Sequence, residues 1–101
     1  MIVVRFKVQS KPDKTEQLMA ALNDVIAPSR QIEGCIEFDI ARCLDDPNSF
    51  IATEVFEDRA ALERQESQSQ VATVLSMLPD VVASEPVATI YDVSSAKPHE
   101  G

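Results

Sequence analysis

Residues 35–56, CIEFDIARCLDDPNSFIATEVF, begin with an alternation of apolar and polar side chains in CIEFDIARC (35–43), followed by a short polar segment and a second run rich in apolar residues. In the first half the apolar positions are Ile36, Phe38 and Ile40. A period of two is typical of a strand with one buried face. The segment DDPN (45–48) has turn chemistry, and SFIATEVF (49–56) has the pattern of the next strand. Residues 35–56 therefore predict a β-hairpin.

A strand and a helix are predicted before this hairpin. IVVRFKV (2–8) alternates, with its apolar side chains on one face. Apolar residues then recur at helical spacing, at Leu18, Ala21, Leu22, Val25 and Ile26. Ser10 is a candidate cap for this helix, and Pro28 and Gly34 mark its end.

After the hairpin the pattern predicts more helix and a last strand. Asp58 is a candidate cap for a short helix around RAALER. Ser67 and Gln70 have the spacing of a capping box in front of a second apolar stripe. That stripe consists of Val71, Val74, Leu75 and Leu78. PVATIYDV (86–93) is the last predicted strand.

The predicted order β-α-β-β-α-β is that of a ferredoxin-like α+β fold, with two helices on one face of an antiparallel sheet. The domain is expected to span residues 1–94, followed by a flexible C-terminal tail at 95–101. The other sheet face carries apolar residues that two helices cannot also cover. A homodimer with the two sheets face to face is therefore expected.

The charge of the chain limits its partners. Seventeen Asp and Glu residues against nine Lys and Arg give a net charge of -8. Nucleic acid and anionic membranes attract basic surfaces, so neither is expected as a partner, whereas a small molecule or another protein is. No apolar run has the length of a membrane span, and the N-terminal residues lack a signal-peptide pattern, so a cytoplasmic protein is expected.

No metal or tightly bound cofactor is predicted. Cys35 and Cys43 are about 27 Å apart if the strand between them is extended, which is too far for a disulfide. The single histidine is His99, so there is no Cys/His cluster. The chain has only two glycines and no glycine-rich phosphate loop. We therefore expect neither metal, haem nor flavin.

The central segment 28–65, PSRQIEGCIEFDIARCLDDPNSFIATEVFEDRAALERQ, closely resembles the antibiotic biosynthesis monooxygenase (ABM) family of dimeric α+β barrels. The residues that carry the resemblance are Ser29, Arg30, Glu33, Gly34, Cys35, Asp46, Pro47, Asn48, Glu54, Asp58, Ala61 and Leu62. The general layout extends over residues 1–94. The resemblance implies a pocket between sheet and helices, with the second helical region as one wall.

Three positions depart from the pattern of many relatives. Gln65 and Gln70 stand where a histidine is frequent, and Phe56 where tryptophan is frequent. Histidine titrates near neutral pH, whereas glutamine only donates and accepts hydrogen bonds. Gln65 is therefore predicted to face the pocket with Phe56 and Glu54, as a neutral partner for a substrate. The competing interpretation of Gln65 is a solvated helix residue.

Glu54 is the candidate catalytic residue. It shares a strand face with apolar neighbours, and burial there would raise its pKa towards that of a general base. Alternatively, it pairs with Arg30 or Arg42 and only stabilises the fold.

Arg30 and Tyr91 are further candidates for substrate binding. Arg30 could clamp a ligand or bond to the end of the first helix. Tyr91 could point its hydroxyl into the pocket or pack as an aromatic with a solvated tip. Arg64, Glu66 and Gln68 are expected on a solvated face.

The resemblance implies a cofactor-independent monooxygenase that acts on a small quinol-like or anthrone-like aromatic. In such a reaction the protein supplies a dry apolar pocket, a hydrogen-bond partner and a base. Two alternatives stay open at this point. One is a non-catalytic dimeric domain that binds a small molecule, which the missing histidines favour. The other is an isomerase of a small metabolite.

Overall fold

The sheet of the computed structural model, which describes residues 1–100, has four antiparallel strands. The strands are β1 (Ile2–Gln9), β2 (Cys35–Cys43), β3 (Asp46–Phe56) and β4 (Val87–Asp92). Their order across the sheet is β2-β3-β1-β4, so β1 lies between β3 and β4. This confirms the ferredoxin-like α+β fold.

Three helices accompany the sheet. They are α1 (Thr15–Arg30), α2 (Arg59–Glu66) and α3 (Ser69–Val81), and a short 3-10 turn, Pro12–Lys14, precedes α1. The second helical region is thus two helices, which meet at a turn. No helix among residues 1–100 is long and apolar enough to cross a membrane. After β4, residues 93–100 form neither helix nor strand.

The core lies between one face of the sheet and the helices. The side chains that alternate inward from β1 are Ile2, Val4, Phe6 and Val8, as the sequence pattern predicts. They meet the inner stripe of α1, which consists of Leu18, Leu22 and Val25. From β3, Phe50 and Phe56 complete this layer. The opposite sheet face carries no helix.

Two predicted helix caps are wrong, and one is confirmed. Asp58 accepts a hydrogen bond from the Ala61 backbone N–H at 2.9 Å and caps α2. Ser10 instead shares a 2.6 Å hydrogen bond with Thr15 Oγ1 in the buried start of α1. Ser67 donates back to Glu63 O at 2.7 Å, so it closes α2, and α3 starts after Gln68 without a side-chain cap.

The hairpin turn starts one residue earlier than predicted and is shorter, so the following strand begins three residues earlier. Leu44 and Asp45 form the turn, and β3 already begins at Asp46. The Asp46 carboxylate explains this early start, because it accepts hydrogen bonds from Ser49 Oγ at 2.6 Å and from the Asn48 N–H at 2.9 Å. These bonds hold the pKa of Asp46 below its usual range. The segment therefore belongs to the strand.

Gly34 fixes the position of α2 against the sheet. It has a φ of +88°, in the region that favours glycine. A Cβ placed there would lie 2.7 Å from the Cβ of Ala61, a fully buried residue of α2. Two backbone contacts tie the same turn to the helix region: Glu57 N–H donates to Gly34 O at 2.8 Å, and Arg64 Nη2 donates to Glu33 O at 2.7 Å.

We expect Gly34→Ala to lower the free energy of unfolding by about 2 kcal/mol or more, because it adds backbone strain and a collision with Ala61. Urea denaturation of the single variants Gly34→Ala and Ala61→Gly and of the double variant would measure this. Removing the Ala61 methyl should relieve part of the collision, so the double variant should be more stable than the sum of the two losses predicts. Strictly additive losses would contradict the contact.

Candidate functional site

A cavity of about 250 Å³ lies between the inner sheet face and the helices. Its lining is mostly apolar, from the side chains Val4, Phe6, Leu22, Val25, Phe38, Ile40, Ala52, Leu62, Val71, Val74, Leu75, Ala88 and Ile90. Only three polar residues line it: Glu54 from β3, and Gln65 and Glu66 from α2. Any polar chemistry in this cavity involves these three side chains.

Glu54 projects from the centre of the sheet into this apolar space. Its neighbours across the sheet are Val4 on β1 and Phe38 on β2. Only 9% of the residue is exposed, and among residues 1–100 its carboxylate has neither a salt bridge nor a hydrogen-bond partner. The carboxylate therefore faces the cavity with no protein group that offsets its charge.

The two arginines considered as partners of Glu54 lie elsewhere. Arg30 donates from Nε to Phe38 O at 2.9 Å and forms a 3.0 Å salt bridge with Asp39. Arg42 lies over the ring of Phe50, 5.5 Å from its centroid. An arginine pair is thus not the reason for a glutamate at position 54.

Burial raises the pKa of Glu54 from 4.5 to about 7, and the nearby carboxylate of Glu66 adds to the shift. Both effects disfavour the charged form: the first because the side chain loses water, the second because like charges repel. Near neutral pH the side chain therefore populates both protonation states. A carboxyl group in this condition can take and return a proton.

Gln65 lies beside Glu54 in the cavity wall and is 4% exposed. Its Nε2 donates to Ser29 Oγ, at the end of α1, at a distance of 3.1 Å. Ser29 is fully buried. The amide is therefore held in place by a second helix and does not rotate freely in solvent.

The other three predicted site residues do not line this cavity. Phe56 shares the strand face of Glu54 but is fully buried in the core near the end of β3. Tyr91 is 48% exposed, and its cross-strand partner Val3 places it on the sheet face without helices. Arg30 borders a separate groove along β2 with Cys35. The structure thus brings together Glu54 and Gln65 alone.

Three further residues of the site were not predicted from the sequence. Glu66 lines the cavity, and Ser29 and Gln68 support Gln65 from behind. The spacing of Leu62 and Glu66, four residues apart on one helix, was a usable signal for Glu66, since such residues share a face. The roles of Ser29 and Gln68 depend on how α1 and the turn before α3 approach each other, which no local pattern specifies.

Within residues 1–100 no three His, Cys, Asp or Glu side chains come close enough together to hold an ion. What the cavity offers is an apolar enclosure, a carboxyl group that titrates near neutrality, and an amide held beside it.

We expect the stability of the protein to depend on pH through Glu54. A pKa raised in the folded state means that the fold binds this proton more tightly than the unfolded chain does. The resulting stability is present below the ordinary pKa of 4.5 and is lost as the pH rises through about 7. When the pH rises from roughly 5.5 to 8, the free energy of unfolding of Glu54→Gln should therefore increase by about 2 kcal/mol relative to that of the wild type.

Urea denaturation at the two pH values and one fixed protein concentration measures this difference. Glu63→Gln is the matched control, since it removes the same charge from an exposed position on α2. Its stability difference from the wild type should not change with pH in this range. A wild type and a Glu54→Gln variant whose stabilities fall in parallel would refute the raised pKa.

Comparison with known proteins agrees with this architecture. The family model described as antibiotic biosynthesis monooxygenase matches residues 1–74. An uncharacterized protein of Synechocystis sp., sll1783, is 31% identical over 95% of this chain, and the Bacillus subtilis (strain 168) protein named "Putative monooxygenase YcnE" is 30% identical over 62%. The aligned parts span only 65% and 66% of those two relatives.

Solved structures give the same result. One of a protein from Nitrosomonas europaea, described as a "Putative antibiotic biosynthesis monooxygenase", superimposes with a TM-score of 0.86 at 25% identity. The superposition covers 94% of this chain and 100% of that one. With nearly three quarters of its length matched by the family model, the chain belongs to the antibiotic biosynthesis monooxygenase family.

Proposed function

We propose that the protein is a cofactor-independent monooxygenase that acts on a small quinol-like or anthrone-like aromatic. The observation that carries this proposal is Glu54, a carboxyl group with a pKa of about 7 in an apolar cavity. Membership of the family supports a monooxygenase-like activity, and the name of the Bacillus relative points the same way.

The size and lining of the cavity support a small, flat, apolar substrate. Its volume of about 250 Å³ is slightly below the roughly 300–1,000 Å³ common for ligand pockets, which favours a small ligand. Aromatic side chains, Phe6 and Phe38, form part of the wall. No lysine or arginine lines the cavity, and both of its ionisable groups are acids, so an anionic substrate would be repelled.

Glu54 acts as the base in this reaction. Its carboxylate takes a proton from the substrate, and the substrate anion passes one electron to O2. The two radicals join in a C–O bond, and Glu54 returns its proton to the peroxide oxygen. The hydroperoxide then loses water, formed from its terminal hydroxyl and a hydrogen of the ring carbon.

The overall reaction is balanced without a reductant. One oxygen atom stays on the substrate and the other leaves as water, and the substrate supplies all four electrons. Anthrone would thus give anthraquinone, and a naphthalenediol a hydroxynaphthoquinone. The apolar walls contribute by excluding water from the charged and radical species.

We expect O2 uptake by the purified protein with 1,4-dihydroxynaphthalene or anthrone, above the uncatalysed rate and at one O2 per substrate. The rate should rise with pH through about 7, as Glu54 loses its proton. Glu54→Gln should lower the rate about 100-fold or more, because the base is lost. An oxygen electrode measures these rates.

Two carboxylate variants on α2 serve as comparisons. Glu66→Gln removes the neighbouring charge, so the pH profile should shift to lower pH. Glu63→Gln, exposed and outside the cavity, should leave rate and profile unchanged. A fully active Glu54→Gln variant would overturn the role of this residue as the base.

Two rival functions would give different results in the same assay. A non-catalytic binding domain would bind the aromatics without O2 uptake above background. An isomerase of a small metabolite would show neither O2 uptake nor binding of these aromatics.

We further propose that the protein acts as a homodimer with the helix-free sheet faces packed together. On this face Val3, Ile51 and Val55 are half-buried, and Tyr91 is about half exposed. These apolar side chains form a patch that a second copy would cover.

The charges of this face support a two-fold arrangement of two copies. Arg5 and Lys7 lie on β1, and Glu37 and Asp39 lie on the edge strand β2, all facing the same way. A two-fold axis parallel to the strands and through the sheet centre would reverse the strand order of the second copy, and so bring its basic β1 over β3, next to the acidic β2. The surface is thus complementary to itself.

Light scattering should give twice the 11.1 kDa mass of the chain at micromolar concentration. Val55→Glu should raise the dimer dissociation constant roughly 10-fold or more, because an unpaired carboxylate would be buried in the interface. Ala20→Glu, an exposed position on α1, adds the same charge away from this face and should leave the mass unchanged. A monomeric wild type, or a Val55→Glu variant that dimerises as well as the wild type, would reject the proposal.

A further inference from the structure

Behind the cavity, a chain of hydrogen bonds runs from Gln65 to the backbone of α1. Gln65 Nε2 donates to Ser29 Oγ at 3.1 Å, Ser29 Oγ donates to Gln68 Oε1 at 3.2 Å, and Gln68 Nε2 donates to Pro28 O at 3.0 Å. Three elements meet here: α1, α2 and the turn that leads into α3. Ser29 is fully buried at the middle of the chain.

The direction of this chain is set by its last member. The Pro28 carbonyl only accepts hydrogen bonds, so the Gln68 amide must turn its nitrogen towards it. The Gln68 oxygen then faces Ser29 and takes the single hydroxyl proton of that residue. Ser29 Oγ is left as an acceptor, which requires the nitrogen of Gln65 on that side. If both amides were turned round, Gln68 Oε1 would face Pro28 O, two acceptors with no proton between them.

The Gln65 amide is therefore oriented with its nitrogen towards Ser29. Its Oε1 has no hydrogen-bond partner among residues 1–100. Within these residues every fully buried side-chain nitrogen or oxygen has a partner, so the unpartnered Oε1 is not fully buried. Gln65 lines the cavity, and because its nitrogen is turned to Ser29, the oxygen is the amide atom that is left to face it. The other polar groups in the lining are the carboxyl groups of Glu54 and Glu66. At a pH above about 7, where Glu54 is mostly charged, the cavity therefore presents acceptor oxygens to a ligand.

We infer that Gln65 Oε1 is a fixed hydrogen-bond acceptor that selects ligands with a hydroxyl donor, and that Ser29 and Gln68 are the positioning residues that fix it. This deepens the proposed function and rests on it for the identity of the ligand as an aromatic. A quinol donates its hydroxyl proton to Gln65 Oε1. A quinone of the same ring has only carbonyl acceptors, so its oxygen would face Gln65 Oε1 with no proton between them.

The selectivity has a direct use in the proposed reaction. A quinol substrate carries hydroxyl groups at the two ring positions where its oxidised product carries carbonyl oxygens. An acceptor fixed in the wall holds the first and disfavours the second, so the site exchanges product for new substrate. A freely turning amide would bind both, since it could offer either its oxygen or its nitrogen.

Binding without turnover tests this inference. Dissociation constants are measured without oxygen at about pH 8 for 1,4-dihydroxynaphthalene, 1,4-dimethoxynaphthalene and 1,4-naphthoquinone. The wild type should bind the diol about 10-fold or more tightly than the other two, as expected when a hydrogen bond is replaced by an unpaired acceptor. The quinone has no added bulk, so its weaker binding is not a matter of size.

Variants separate the fixed acceptor from a merely structural role. Gln65→Leu removes the acceptor, while Ser29→Ala and Gln68→Ala release the amide so that its nitrogen can turn to the cavity. In each variant the preference for diol over quinone should fall at least about threefold, the remainder arising from Glu54. Gln68 is only partly buried, so its variant is informative even if Ser29→Ala does not fold. Gln70→Ala is the control, because Gln70 belongs neither to this series of hydrogen bonds nor to the cavity lining. This variant should keep the wild-type preference for the diol.

A wild type that binds the quinone as tightly as the diol, or that fails to bind the diol, would overturn the inference. So would a preference that all three variants retain. A retained diol preference in a protein that consumes no O2 would reject the oxygenase alone and support the fixed acceptor. The two proposals therefore fail in different experiments.

Discussion

The close approach of Gly34 to Ala61 determines where α2 lies, and the cavity depends on it. No side chain fits between the two residues, and two hydrogen bonds hold the turn to the α2 region, one from the Glu57 backbone and one from the Arg64 side chain. Gln65 follows Ala61 by about one helical turn, so its place in the cavity wall is inherited from that contact. A small shift at Gly34 would thus move the polar end of the site away from Glu54 on the sheet.

The sheet forms the opposite side of the site, and Glu54 on this side lowers the stability of the fold. Glu54 occupies an inward position that an apolar residue would fill at lower free energy at neutral pH, since its charged form loses water and meets Glu66. The surrounding core tolerates this because its neighbours on β1 and β2, Val4 and Phe38, remain well packed. Functional sites commonly contain one energetically unfavourable group of this kind in a fold that is otherwise well stabilised.

Local patterns in the sequence predicted the helices and strands of the fold. They did not predict the contacts between these elements. Alternation predicted β1 and β2, and the Asp58 side chain predicted the start of α2, because each depends on residues close in sequence. The proposed caps at Ser10 and Ser67 failed because other partners, brought near by folding, use those hydroxyls. Glu54 and Gln65 were placed from strand alternation and helix spacing joined to a family resemblance. The link from Gln65 to Ser29 spans 36 residues and is a product of tertiary packing.

The cavity reaches the protein surface between a helix and the last strand. Leu75 on α3 is 58% exposed and Ile90 on β4 is 46% exposed, and both also line the cavity. The cavity wall at this edge is thus itself in contact with solvent, and no segment among residues 1–100 covers these two side chains. The time a molecule stays is then governed by its contacts with the cavity wall. Release from such a site depends on those contacts and not on a conformational gate.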